Sequence, residues 1–133
     1  MVVDTSAVVA ILLEEPEGDR FTQALLDTAY PLMSAVTRVE LSFVLEGRKG
    51  SAGRRDIEDF MRSSRIEVIA VTPAHAEIAI DAFRRFGRGR HRAALNIGDC
   101  FSYALAKAMD MPLLFKGGDF IHTDIRPALP APR

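Results

Sequence analysis

The 133-residue chain has a single cysteine, Cys100, so it can close no disulfide within itself, and a reducing compartment such as the cytoplasm is expected. It lacks a long apolar run. The stretch from Ala7 to Leu13 falls short of the ~20 residues that cross a bilayer. The residues ahead of it, Met1–Val2–Val3–Asp4, offer an acid where a secretory leader carries bases. An excess of one charge is also missing: 17 Lys and Arg face 18 Asp and Glu, for a net charge of −1, which by itself says nothing about nucleic acid. No internal repeat and no linker-like stretch divides the chain, so one domain over residues 1–133 is expected. An apolar fraction of 48% against 26% charged suits a globular protein with a core of its own.

What is present is an alternation of short apolar strands with helices. Val2–Val3 reads as a buried strand ending at Asp4, followed by a helix over Ala7–Leu13 capped by Thr5 or Ser6. Pro16 suits the first turn of a second helix reaching about Thr28. Tyr30 to Met33 reads as a strand, and Ser34 caps a helix that ends at Gly47. Arg48–Gly53 reads as a basic loop before a helix over Asp56–Ser63. Ile66–Val71 reads as a strand, Thr72–Pro73 starts a helix, and Gly87–Ala93 is a Gly/Arg loop. A helix from Asn96 or Gly98 to Met109 and a strand over Pro112–Phe115 follow. Pro127, Pro130 and Pro132 mark a C-terminal tail. The alternation predicts an α/β fold, a three-layer sandwich with a short central parallel sheet flanked by helices.

In such a sheet, strand C-termini and the N-termini of the following helices share one edge, where ligand sites form. Asp4 and Asp119 belong to that edge as strand-end residues, and Asp99 joins them if its helix crosses back before the last strand. Glu40 falls between Val36, Phe43 and Val44 on its helix, and a glutamate inside an apolar stripe is costly unless paired or metal-linked. Leu41 and Leu45 lie on the other side of that helix and predict a dimer surface there. Four carboxylates in one cleft repel one another, so a cation must share the site, and oxygen-only ligands select Mg²⁺ or Mn²⁺. The expected chemistry is metal-assisted phosphodiester hydrolysis. Asp4 and Asp99 hold the ion, Glu40 and Asp119 hold water or a second ion and assist deprotonation, and Ser6 steadies a metal-bound water or the scissile phosphate. The stretch RRFGRGRHR, Arg84 to Arg92, carries no acid. Arg92 foremost, with Lys116, is expected to contact a nucleic-acid backbone.

The opening VVDTSAVVAIL, the helix carrying Glu40, the block AALNIGDCFSYALAKAMDMPLLFKGGDF and the terminal TDI resemble PIN-domain proteins, most closely the VapC toxins of type II toxin–antitoxin modules. The resemblance covers nearly the whole chain. It implies a Mg²⁺-dependent endoribonuclease, neutralised by a VapB-type antitoxin that covers the acidic pocket, in a homodimer within a toxin–antitoxin hetero-oligomer. By position it matches Asp4 and Asp99 to the family's principal metal ligands, Glu40 and Asp119 to its further acids, and Ser6 to its small hydroxyl. Gly118 stands where relatives often carry an acid or amide, which makes Asp124 a stand-in for the fourth acid.

Other classes fit less well. Asp4 and Asp99 taken alone are helix-cap residues, and Asp119 a turn residue. A receiver domain needs an acid at the end of its middle strand, where this chain has Val71–Thr72–Pro73. A haloacid-type phosphatase needs a second aspartate at the position of Ser6. The alternative function is a non-catalytic RNA- or protein-binding adaptor on the same fold, which has no use for four mutually repelling carboxylates. His75, His91 and His122 lack metal-ligand spacing. Cys100 beside Asp99 lacks the electropositive setting of a nucleophile.

Overall fold

A computed structural model of the chain describes residues 1–130. Strands β1 (Val2–Val3), β2 (Leu32–Ser34), β3 (Glu67–Ile69) and β4 (Leu113–Leu114) form one sheet in the order β3-β2-β1-β4, and every pairing is parallel. Helices α1 (Thr5–Leu12), α2 (Gly18–Leu26), α3 (Ala35–Lys49), α4 (Ser51–Ser64), α5 (Pro73–Phe86) and α6 (Ile97–Met109) enclose it. The strands are read on both faces, as expected where a parallel sheet lies between two helical layers. Val2, Leu32 and Leu113 face a core built with α5 and α6, whereas Val3, Met33 and Leu114 face a second core built with α1 to α4. The expected three-layer α/β sandwich is observed.

The chain leaves β1 for β2 and β3 on one side, then returns to place β4 on the other side of β1. That reversal opens a crevice at the carboxyl ends of β1 and β4, where parallel sheets bind ligands. Asp4 follows β1, and the segment 115–119 follows β4.

Helix starts follow the capping residues. Ser34 accepts from the Val36 amide, Thr72 from the His75 amide and Asn96 from the Asp99 amide. The first helix differs from expectation: Asp4 itself is its N-cap, so α1 begins at Thr5. Pro16 lies ahead of α2, which starts at Gly18 pressed against α1, with a Cβ there standing 2.8 Å from the Ala10 carbonyl oxygen. Gly47 does not stop α3. The chain turns at Gly50, whose φ of +59° suits glycine, and α4 starts directly after it. The expected loop Arg48–Gly53 is therefore mostly helical. Gly53 permits close packing instead, since a Cβ there would overlap the Leu45 carbonyl.

The buried face of α3 is Thr37, Leu41 and Leu45, not the stripe of Val36, Phe43 and Val44. Leu41 and Leu45 are wholly buried in the chain's own core, which overturns the dimer surface expected on them. The large apolar side chains that α3 exposes are Val39 and Phe43. The C-terminal segment is also more than a tail. Leu113 donates to the Arg126 carbonyl and Ala128 donates to the Leu113 carbonyl, so residues 126–128 run alongside β4. Pro132, part of the expected tail, lies outside the described residues. Among the described residues no helix is long and apolar enough to cross a membrane.

Candidate active site

Asp4 leaves β1 in extended conformation and turns its carboxylate onto the start of α1. Its Oδ2 accepts from the Ser6 amide at 3.1 Å and from Ser6 Oγ at 2.7 Å, and its Oδ1 accepts from Ser102 Oγ at 2.5 Å. Ser6 Oγ accepts in turn from the Lys116 amide at 3.0 Å, so one hydroxyl ties the end of β1 to the loop after β4. Asp4 is only 3% exposed, a burial that a carboxylate tolerates when its oxygens are hydrogen-bonded.

Glu40 reaches the same edge from α3. Its Oε1 accepts from Thr5 Oγ1 at 2.5 Å. Its carboxylate lies over Gly98, where any Cβ would overlap it. Burial pushes the Glu40 carboxyl above the usual range and the charge of Asp4 adds to this, while the Thr5 bond opposes it.

Asp99 stands at the third position of α6 in a reciprocal cap: its amide donates to Asn96 Oδ1 at 2.9 Å, and its Oδ2 accepts from the Asn96 amide at 3.0 Å. Burial first, and then the charges of Asp4, Glu40 and Asp119, push the Asp99 carboxyl up to about 7, against the Asn96 bond that favours its ionised form. Asp119, exposed ahead of a short 3-10 turn (Phe120–His122), thus belongs to the same electrostatic neighbourhood. Acids from four distant stretches thus influence one another electrostatically.

Both aspartates do act as helix caps, yet capping and ion binding are compatible, because each cap engages Oδ2 and a carboxylate has further lone pairs. Among the described residues no three acids, imidazoles or thiols are drawn up around one point as a finished ion cage. The charges of Asp4, Glu40 and Asp119 are felt at Asp99, although the four carboxylates are not drawn up as a ligand set around one point. The donor set is oxygen alone, which fits a hard divalent cation.

The other candidates are placed as follows. The Lys116 ammonium is paired with Glu15 and, at 3.4 Å, with Glu17, so it is turned from the acids. Arg92 is exposed on the loop leading into α6. That loop is braced by the Arg88 amide on the Leu95 carbonyl and the Leu95 amide on the Phe86 carbonyl, each at 3.0 Å. Asp124 accepts from Tyr103 Oη at 2.7 Å and pairs with Lys107 at 2.7 Å, well occupied as a structural tie and not among the charges felt at Asp99. Burial and the Asp99 charge push the Cys100 thiol up to about 11, which leaves it inert as a nucleophile. A concavity of about 300 Å³ beside α2 is lined by Phe21, Phe115 and Ile121 together with Glu17, Arg20 and Lys116.

Sequence reasoning passed over Thr37 and Ser102, and took Thr5 and Gly98 only as helix-start residues. A faint signal was available: Ser102 lies three residues after Asp99 and Thr37 three before Glu40, so each hydroxyl shares a helix face with an acid.

The PIN domain family model matches residues 1–126. Ribonuclease VapC30 of Mycobacterium tuberculosis is 47% identical over 125 residues, covering 94% of this chain and 95% of the relative. Ribonuclease VapC of Mycolicibacterium smegmatis is 46% identical over 125 residues, covering 94% and 97%. The crystal structure of Mycobacterium tuberculosis VapC20, a sarcin–ricin loop cleaving toxin, superposes with a TM-score of 0.74 over 95% of this chain and 98% of that one; at 19% identity it speaks to the fold alone. The parallel sheet, the acids gathered at its carboxyl edge and the near full-length similarity agree: the chain belongs to the PIN-domain family, among the VapC ribonucleases.

Proposed function

We propose that this protein is the toxin of a type II toxin–antitoxin pair, a Mg²⁺-dependent endoribonuclease in which Mn²⁺ substitutes, held inactive in the cytoplasm by a VapB-type antitoxin. The observation that carries the reading is the meeting of acids at the carboxyl edge of the sheet: Asp4 follows β1, and Glu40 reaches from α3 to bond Thr5 and lie over Gly98, one residue before Asp99. Ribonucleases of this family depend on a divalent metal.

Asp4 and Asp99 are the residues that would hold the ion. A bound divalent cation supplies Lewis acidity toward a phosphoryl oxygen and makes hydroxide accessible at neutral pH. Glu40, raised by burial, is suited to accept a proton from an attacking water, and Asp119 from its exposed loop orients that water. Ser6 fixes the Asp4 carboxylate. With the Lys116 ammonium engaged by Glu15 and Glu17, contact with RNA phosphates falls first to Arg92, with Arg88 and Arg90 on the same braced loop. A homodimer would use the exposed Val39 and Phe43 of α3. The adaptor alternative is disfavoured by the cost of gathering four carboxylates without a catalytic use.

Purified protein should cleave RNA with Mg²⁺ or Mn²⁺, stop on addition of EDTA, and lose cleavage as Asp4→Asn or Asp99→Asn with the fold retained by circular dichroism. Undiminished cleavage by Asp99→Asn would refute the ligand assignment.

A further inference from the structure

We propose that Ser102, backed by Thr37, is a positioning residue that fixes how Asp4 presents itself to a cation; this rests on the reading of Asp4 as a metal ligand. Ser102 and Thr37 are both 0% exposed, and a core hydroxyl is costly unless its hydrogen bonds are made. Ser102 Oγ lies 2.5 Å from Asp4 Oδ1, and Thr37 Oγ1 lies 3.1 Å from Ser102 Oγ. Each hydroxyl has one hydrogen. An ionised carboxylate only accepts, so the Ser102 hydrogen points at Asp4. The hydrogen between the two hydroxyls therefore comes from Thr37. The result is a directed chain, Thr37 to Ser102 to Asp4, that links α3 and α6 to the end of β1.

The chain decides which lone pair is left. A carboxylate offers about four acceptor sites, two on each oxygen. Asp4 Oδ2 already receives the Ser6 amide and the Ser6 hydroxyl, and Oδ1 receives Ser102. The remaining site is on Oδ1, so Asp4 engages an ion through that oxygen alone, in the direction that Ser102 leaves open. Outer-shell donors of this kind hold first ligands in place, and losing one weakens metal binding by roughly 10–100-fold.

The test is Mn²⁺ binding to the RNA-free protein, by titration calorimetry, for Ser102→Ala, Thr37→Val, Thr37→Ser, the double variant Ser102→Ala/Thr37→Val, and Asp4→Asn as reference. Ser102→Ala should bind Mn²⁺ about tenfold more weakly, and saturating Mn²⁺ should restore most of its RNA cleavage. Thr37→Val should show a smaller loss in the same direction, and Thr37→Ser, which keeps the hydroxyl, should bind as the parent does. The double variant should be no weaker than Ser102→Ala, because Thr37 acts through Ser102. Should Ser102→Ala not fold, the Thr37→Val and Thr37→Ser pair decides. Unchanged Mn²⁺ affinity in Ser102→Ala beside a clear loss in Asp4→Asn overturns the positioning role alone. Unchanged affinity in Asp4→Asn overturns the metal-ligand reading beneath it.

Discussion

Replacing Asp99 by asparagine is expected to stabilise the metal-free protein at pH 8 while ending cleavage. The Asp99 carboxyl sits at about 7 in the folded chain against an ordinary 3.8. The gap is about three pH units, and at 1.36 kcal/mol each its ceiling is about 4 kcal/mol. Partial contact with solvent screens that figure, and about 2 kcal/mol is a fair working value. Between pH 4 and 7 the native state holds a proton that the unfolded chain has released. The contribution to stability is therefore complete below about pH 4 and is lost as the pH rises through about 7. Asparagine cannot ionise, yet its side-chain oxygen can still accept from the Asn96 amide, so the helix cap survives. For a domain of this size the effect is about 6–10 °C in midpoint. Thermal unfolding of both proteins in EDTA from pH 4.5 to pH 8 should give nearly coincident midpoints at the acid end and Asp99→Asn well above the parent at the alkaline end. Mn²⁺ at pH 8 should raise the parent and leave the variant nearly unmoved. Parallel midpoint curves, or a variant less stable at pH 8, would refute the reasoning that a buried carboxylate crowded by other acids destabilises the metal-free protein.

Three further outcomes follow from the geometry. Gly98→Ala should leave the thermal midpoint within a few degrees, because the overlapping group is the flexible end of Glu40, but should lower cleavage at least tenfold by displacing that carboxylate; equal activity would remove Glu40 from the reaction. Leu41→Ala and Leu45→Ala should each cost about 2–5 kcal/mol in urea unfolding, whereas Phe43→Ser should leave monomer stability nearly unchanged and instead weaken self-association measured by sedimentation. Arg88→Ala, Arg90→Ala and Arg92→Ala combined should weaken RNA binding evenly across sequences and make it less sensitive to salt, as read from the slope of binding against ionic strength.

Much of this architecture was legible because its punctuation is local. Thr72, Asn96 and Ser34 each cap a helix through their own side chain, and a cap needs only neighbouring residues. The acids at strand ends were legible for the same reason, since the alternation of strand and helix alone places them on one edge. What escaped was decided by distant partners. Gly47, Gly50 and Gly53 look alike in sequence, yet only Gly50 turns the chain, while Gly53 answers to Leu45 across the helix pair. The inward face of α3 was misjudged because Thr37, a polar residue, holds a fully buried position that only its bond to Ser102 makes tolerable. A hydroxyl satisfied across 65 residues leaves the apolar pattern looking broken when it is not.

The pairing of Lys116 with Glu15 and Glu17 bears on the order of events during turnover. The backbone of that lysine touches the acid cluster through Ser6, but its positive charge is directed elsewhere. A polyanion nearing the cleft therefore meets repulsion from the acids, offset only by the arginines of the neighbouring loop, until small cations arrive, so loading of the ion should precede capture of the strand. RNA held by the parent protein in EDTA as firmly as in Ca²⁺, measured by fluorescence anisotropy, would contradict this sequence of steps.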